Sequence, residues 1–378
     1  MAIDTEKIAQ EAINAIADKI KNLKTLNIIV AGKTGVGKST LINAVFRDKL
    51  AETGMGKPVT DHMRKISKKG VPLTIYDTRG FELGKEVQKQ VKQEVVDTIS
   101  KGLATQDINK AIHCIWYCIN TASNRVEPEE IEWLKDLSRD NQITQVPIIV
   151  VLTQSFSKKN ADLLRRTLLE ENLDVIQIVP VLAEDYEIDE EYVAKSYGLD
   201  VLIHVMGEAL PEELMDTLQN VQIASLAEKK RRAQAAVATA TVAAAGEGAA
   251  PIPFSDCALL IPTQLGMIAS ITVIFGFDVN KSILTAFLSS TLGAGGATLL
   301  GKTIVTNLVK LIPGAGTIVG GAISAGTAGV ITAALGEAYI GIMELVFKGE
   351  MSIDDLSTDK GKDEMATLFK SELKKKRK

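Results

Sequence analysis

The stretch Leu26-Asn-Ile-Ile-Val-Ala31-Gly32-Lys33-Thr34-Gly35-Val36-Gly37-Lys38-Ser39-Thr40 decides how this chain is read. A short apolar run of strand character opens into G-x-x-x-x-G-K-S, and Leu41-Ile-Asn-Ala-Val-Phe46 continues as a helix. The spacing has a chemical reason. Glycines let the backbone fold back so that successive N–H groups converge on an anion. A lysine ammonium then reaches the terminal phosphates, a hydroxyl takes a place on a divalent cation, and the positive end of the new helix adds its field. Gly32, Lys33, Thr34, Gly35, Val36, Gly37, Lys38, Ser39 and Thr40 are therefore the candidate residues for a nucleoside triphosphate tail.

Working outward, Val71-Pro-Leu-Thr-Ile-Tyr-Asp77-Thr-Arg79-Gly80 is a second strand-like run, ending in Asp-x-x-Gly. It places the Asp77 carboxylate beside Mg²⁺ and leaves the Gly80 amide to follow the γ-phosphate. Between the two runs, Gly54-Met-Gly-Lys-Pro58-Val59-Thr60 is expected to be a mobile loop. Thr60 is its candidate switch residue, closing over Mg²⁺ and the γ-phosphate, with Thr53 the lesser candidate. Ser39, Thr60 and Asp77 form the expected metal set, and Lys38, Thr60 and Gly80 the expected catalytic set.

Strand-like runs at 26–31, 71–77, 111–119, 146–152 and 175–182 alternate with helical patterns at 38–47, 85–102, 127–138 and 157–171, and a weaker strand is expected at 62–69. This is the signature of an α/β fold, a doubly wound and mainly parallel sheet. Ligands of such sheets bind at the carboxyl ends of the strands, where residues 32–39 lie. Residues 198–224 read as one closing helix. Ahead of the first strand, Ile8, Ala12, Ile16 and Ile20 recur at four-residue spacing, an amphipathic helix expected to pack outside the nucleotide core.

The P-loop, the Pro-Val-Thr switch and Asp-Thr-x-Gly resemble, in order and spacing, the Era-like branch of translation-factor-related GTPases. Trp116-Tyr-Cys-Ile-Asn120-Thr-Ala-Ser-Asn-Arg125-Val-Glu is similar to a bacterial subgroup related to immunity-related and septin-like proteins. The resemblance implies GTP and GDP binding with Mg²⁺, slow hydrolysis and a conformational cycle read by partners. It also implies a base-recognition motif after the strand at 146–152. There Thr153 and Gln154 align with the first two positions, but Phe156 stands at the carboxylate position. The Ala183 backbone N–H is the candidate contact to the base oxygen. Guanine selectivity is therefore expected to be weakened unless another group replaces that carboxylate. Phe81 stands where a water-orienting glutamine would be, so a slow isolated enzyme is expected. Its missing group is expected from elsewhere, across a homodimer formed through the nucleotide face. Arg79 and Arg125 are either charge-stabilising partners in that dimer or plain surface arginines.

The remaining composition bounds the function. A formal net charge of −4 over 378 residues marks no nucleic-acid binder. Three cysteines without paired spacing argue for a reducing compartment. His113, Cys114 and Cys118 are read as strand packing rather than as metal ligands. Charged residues at Asp4, Glu6, Lys7 and Glu11 interrupt any signal-peptide core. The apolar residues, 46% of the chain, concentrate after residue 250. Windows 257–277, 282–301 and 311–336 carry no charge, and each is long enough to cross a hydrocarbon layer of about 30 Å. Small residues repeat within the third (Gly316 with Gly320; Gly321, Ala325 and Gly329). This region resembles the apolar C-terminal domain of unknown function that follows such GTPases. Membrane-insertable hairpins and a soluble glycine-rich bundle are its two readings. Basic runs at 229–232 and 374–378 would suit an anionic cytoplasmic leaflet.

The expected organisation is an N-terminal helix (1–25), a GTPase domain (26–224), an all-α apolar helical domain (225–350) and a basic tail (351–378). Three functional readings stand on it: a slow GTPase controlling the helical domain at the cytoplasmic membrane, a non-hydrolysing nucleotide-gated interaction module, and a nucleotide-triggered membrane-perturbing effector.

Overall fold

The computed structural model describes residues 5–50, 55–78, 85–122, 125–141, 145–247, 252–253, 260–292, 322–323 and 325–376. The chain forms two compact units, Leu23–Glu228 and Met1–Asn22 with Lys229–Lys378.

In the first unit, β1 (Leu26–Ala31), β2 (Met55–Pro58), β3 (Met63–Ser67), β4 (Leu73–Thr78), β5 (Cys114–Asn120), β6 (Ile148–Thr153) and β7 (Gln177–Pro180) build one sheet. Its order is β2-β3-β4-β1-β5-β6-β7. β4, β1, β5, β6 and β7 run parallel, while β2 and β3 are antiparallel additions at one edge. Alternation along each strand splits the core in two. Leu26, Ile28 and Val30 of β1 join Trp116, Leu202 and Leu218 on one face. Ile29 and Ala31 join Val95, Tyr117 and Leu134 on the other. Helices α2 (Lys38–Val45), α3 (Lys85–Ala104), α4 (Pro128–Asn141) and α5 (Lys158–Glu170) connect the strands. The fold is the P-loop GTPase form of a mainly parallel doubly wound sheet, followed by a helical C-terminal region.

Three local features differ from the sequence expectation. Residues 55–58, expected within a loop, pair with β3 as an edge strand; Pro58 is tolerated at an edge, where no inner neighbour needs its missing N–H. A small hairpin of β8 (Tyr186–Glu187) and β9 (Val193–Ala194) follows β7. The single helix expected over 198–224 is two, α6 (Leu199–Ala209) and α7 (Met215–Val221). Pro211 lies between them and holds Leu210 extended, at φ −90° and ψ 148°.

His113 and the cysteines of β5 are strand residues. The Asn27 N–H donates to His113 Nδ1 at 2.9 Å, and burial lowers the imidazole pKa. Cys114 and Cys118 are buried, and desolvation pushes both thiols up to about 12.

The second unit comprises α1 (Thr5–Asn22), α8 (Leu226–Glu247) from Lys229 onward, α9 (Ile261–Phe275), α10 (Lys281–Leu292), α11 (Ala325–Phe347) and α12 (Asp359–Lys375). Helix α1 packs on α9 and α10. Its Ile8, Ala12 and Ile16 are buried, whereas Ile20 is 42% exposed. Gly336 lets α11 approach α8: a Cβ there would stand 2.5 Å from Val237 Cγ2. Lys229, fully buried, donates from Nζ to the carbonyls of Ile274 (2.9 Å) and Phe275 (3.1 Å), capping the negative end of α9. Met365, Phe369 and Leu373 of α12 are buried, and Leu368 lies against Gly341.

Of the three charge-free windows, the first contains α9 and the second contains most of α10; both helices are shorter than a span. Part of the third, including Gly316, Gly320 and Gly321, lies outside the described residues. Among the described residues, Ala328–Phe347 is long and apolar enough to cross a membrane by length and composition, and 61% of its best window is buried within the protein.

Candidate functional site

The end of β1 meets the end of β5 so closely that residue 32 must be glycine. Its φ is +138°, and a Cβ would lie 2.4 Å from the Cys118 carbonyl oxygen. Gly35 (φ +77°) and Gly37 (φ +92°) complete the turn, and Gly37 precedes α2 without a side-chain cap. The N–H groups of the first turn of α2 are thus left to face an anion. Lys38 folds back across the loop, donating from Nζ to the carbonyls of Gly32 (2.8 Å) and Lys33 (2.9 Å). Ser39 and Thr40 are exposed in the first turn, beside exposed Thr34, while Val36 is buried as the loop's anchor.

Asp77 pairs in register with Val30, one residue short of the end of β1, so its carboxylate stands at the loop end of the sheet. It is 7% exposed and lies 3.6 Å from Arg64 Nη2. Hard oxygen donors from Asp77 and Ser39 are the chemistry that Mg²⁺ takes. Thr60, in the turn between β2 and β3, donates its hydroxyl to Glu94 Oε2 of α3 at 2.5 Å. That bond lies at a cavity of about 500 Å³ lined also by Lys65, Tyr76 and Lys101, with no P-loop residue in its wall. Gly80, Phe81, Arg79 and Thr53 lie outside the described residues; Arg125 is exposed ahead of α4.

At the other end of the loop, the Thr153 hydroxyl lies 2.5 Å from the Val36 carbonyl and 3.1 Å from that of Ile119. Gln154, in a left-handed conformation (φ +52°), donates from Nε2 to the Gly35 carbonyl at 3.0 Å. Its Oε1 accepts from Asn120 Nδ2 at 3.1 Å. The structure therefore brings Thr153 and Gln154 together with the phosphate loop. Phe156 turns instead to Tyr186 of β8, ring centroids 4.4 Å apart and tilted by 48°. Ala183, half-buried, lies in the segment after β7. Leu182 and Tyr197 exchange backbone hydrogen bonds of 3.1 and 3.0 Å on one side of it.

A pair of carboxylates escaped the sequence reading. Lys33 bonds Glu127 Oε2 at 2.8 Å and Glu130 Oε2 at 3.1 Å, tying the loop to the start of α4. Desolvation works to lower the Lys33 pKa, but the two carboxylates outweigh it and raise it. Burial raises the Glu130 carboxyl against the pull of Lys33, while the Lys33 bond lowers Glu127. The signal was present in Arg125-Val-Glu127, quoted above only for its family likeness.

Residues 27–154 match the family profile described as 50S ribosome-binding GTPase. The chain carries a P-loop GTPase domain. Residues 213–376 match a domain of unknown function, DUF697. Beyond the GTPase domain's profile, human septin-12 is 26% identical over 219 residues, 49% of this chain and 59% of septin-12. Rat septin-9 is 28% identical over 147 residues, 32% of this chain and 26% of septin-9. The chain thus spans about six-tenths of the one relative and a quarter of the other. The crystal structure of a probable GTP-binding protein, engB, aligns with 48% of this chain and 97% of its own at 20% identity and a TM-score of 0.31.

Proposed function

We propose that this protein is a slow, Mg²⁺-dependent GTPase of the Era-like, bacterial type, whose nucleotide state controls the C-terminal helical unit at an anionic cytoplasmic membrane. The observation that carries the reading is Lys38, held by two loop carbonyls over a glycine turn with an uncapped helix behind it. Backbone amides of 32–40 and the Lys38 ammonium hold the β- and γ-phosphates. Ser39 and Asp77 hold Mg²⁺, which when bound neutralises charge developing on the phosphate oxygens. Thr60 joins that set once its hydroxyl leaves Glu94, and the Gly80 amide follows the γ-phosphate. Thr153 and Gln154 brace the loop from the base side, and the Ala183 N–H meets the base oxygen. Phe81 supplies no water-orienting group, so hydrolysis draws it from a second copy docked through the nucleotide face.

The test is Lys38→Ala. GTP and GDP affinity, measured with a fluorescent analogue, should disappear while the circular dichroism of the helical unit is kept. Retained GTP affinity would overturn the reading. Phe81 also favours a second reading, a nucleotide-gated interaction module that scarcely hydrolyses. Single-turnover rates over a range of protein concentration separate the two: a rate climbing with concentration supports the dimer-assisted enzyme, and one near zero throughout supports the module. Flotation with anionic vesicles in GTP, in GDP and without nucleotide tests the membrane part, which also distinguishes the nucleotide-triggered effector; failure to float in all three removes it.

A further inference from the structure

Guanine presents two N–H donors on one edge, and a selective site must accept both, since burying them unpaired is costly. The position from which a carboxylate would do so is Phe156, which accepts nothing and is packed on Tyr186. The hairpin that brings Tyr186 there is held firmly beside it. Ser155 N–H donates to the Val181 carbonyl at 3.1 Å, and the Tyr197 hydroxyl donates to the Ser155 carbonyl at 3.0 Å. Gly198 (φ +82°) closes the hairpin so tightly that a Cβ would stand 2.1 Å from the Pro180 carbonyl oxygen.

Of the acids in this pinned segment, three lie within two residues of Tyr186, whose ring packs on Phe156. Asp185 is engaged, accepting from Ser196 N–H and from Lys195 Nζ, each at 2.8 Å. Glu187 follows Tyr186 in β8, so strand alternation directs it to the face opposite the ring packed on Phe156. Glu184 adjoins Ala183, is exposed, and has no hydrogen-bond or ion-pair partner among the described residues.

We propose that Glu184 supplies the guanine-accepting carboxylate that Phe156 does not, so that base selectivity has moved from the end of β6 to the segment after β7. The proposal rests on the GTP-binding reading above. In it, the two Glu184 oxygens accept from guanine N1–H and N2–H, while Phe156 and Tyr186 form an apolar wall beside the base. A carboxamide in the same place would accept from N1–H and donate to an oxygen at position 2, which is the pattern of xanthine.

The experiment is titration of the full chain with labelled GTP, XTP, ITP and ATP in Mg²⁺, as wild type, Glu184→Gln and Glu187→Gln. Wild type should prefer GTP over the other three. Glu184→Gln should weaken GTP on the order of 100-fold and strengthen XTP, inverting their ratio, while Glu187→Gln should match wild type. An unchanged GTP-to-XTP ratio in Glu184→Gln, an inversion produced by Glu187→Gln instead, or a wild type indifferent to the base would each overturn the proposal. The underlying reading fails separately, through a wild type that binds none of the four or a Lys38→Ala variant that still binds GTP.

Discussion

The two ends of the proposed nucleotide site are made of different material. The phosphate end is almost wholly backbone: glycines at φ +138°, +77° and +92°, the amides they turn inward, and one ammonium laid across carbonyls. The base end is side chains from three separate segments, Thr153 and Gln154 after β6, Phe156 against the β8 hairpin, and the residues around Ala183. A site built from backbone constrains residue type through conformation, so its motif survives intact. A site built from side chains needs only a donor or acceptor in the right place, and any neighbouring loop can provide it.

Four substitutions break or sharpen that contrast, the first having the largest effect. Gly32→Ala forces a Cβ onto the Cys118 carbonyl at a φ that L-residues avoid. It should cost about 2–4 kcal/mol of stability and abolish binding of every nucleotide, read by urea titration and by fluorescence. Thr153→Val removes the hydroxyl that reaches the buried Val36 carbonyl. GTP, XTP and ITP affinities should fall together by about 1–2 kcal/mol with their ratios unchanged; a changed ratio would mean that bracing and base choice are not separable.

His113 provides a control at the opposite end of the strands. Its folded pKa lies below the ordinary 6.5 because burial disfavours the imidazolium, while Nδ1 accepts from Asn27 N–H. Below pH 6.5 the unfolded chain therefore binds a proton that the native one refuses, and stability falls until the folded pKa is passed. His113→Phe should flatten this slope between pH 7.5 and 5, at a cost of about 1–3 kcal/mol at pH 7.5 from the orphaned Asn27 N–H. Nucleotide selectivity at pH 7.5 should not move. The smallest effect belongs to Glu94→Gln, which weakens the acceptor holding Thr60. Affinity for a non-hydrolysable GTP analogue with Mg²⁺ should rise roughly two- to ten-fold, with GDP affinity unchanged. Equal changes for both nucleotides would show that Thr60 does not follow the γ-phosphate.

Much of the GTPase unit was legible because burial on both faces gives its parallel strands long apolar runs, and because the glycine spacing of 32–37 answers to one backbone path. What escaped lacked such a pattern. The edge strand Met55–Pro58 pairs on one side only and carries no hydrophobic alternation. The two-residue strands of the 186–194 hairpin are too short for any period to register. Pro211 was visible, yet the apolar positions on either side suggested one helix. Glu127 and Glu130 meet Lys33 across nearly a hundred residues, a contact that only the sheet order creates. In the helical unit, the small-residue composition of 257–336 fits a packed bundle and a lipid-exposed hairpin equally, since close helix approach serves both.

Lys229 sets a rule for how the helical unit can rearrange. Its ammonium, sealed from water, is satisfied by the last two carbonyls of α9. Pulling α8 and α9 apart would break both of these buried, charge-assisted bonds, a penalty of about 3–5 kcal/mol. A rearrangement that keeps α8 and α9 together leaves both bonds intact.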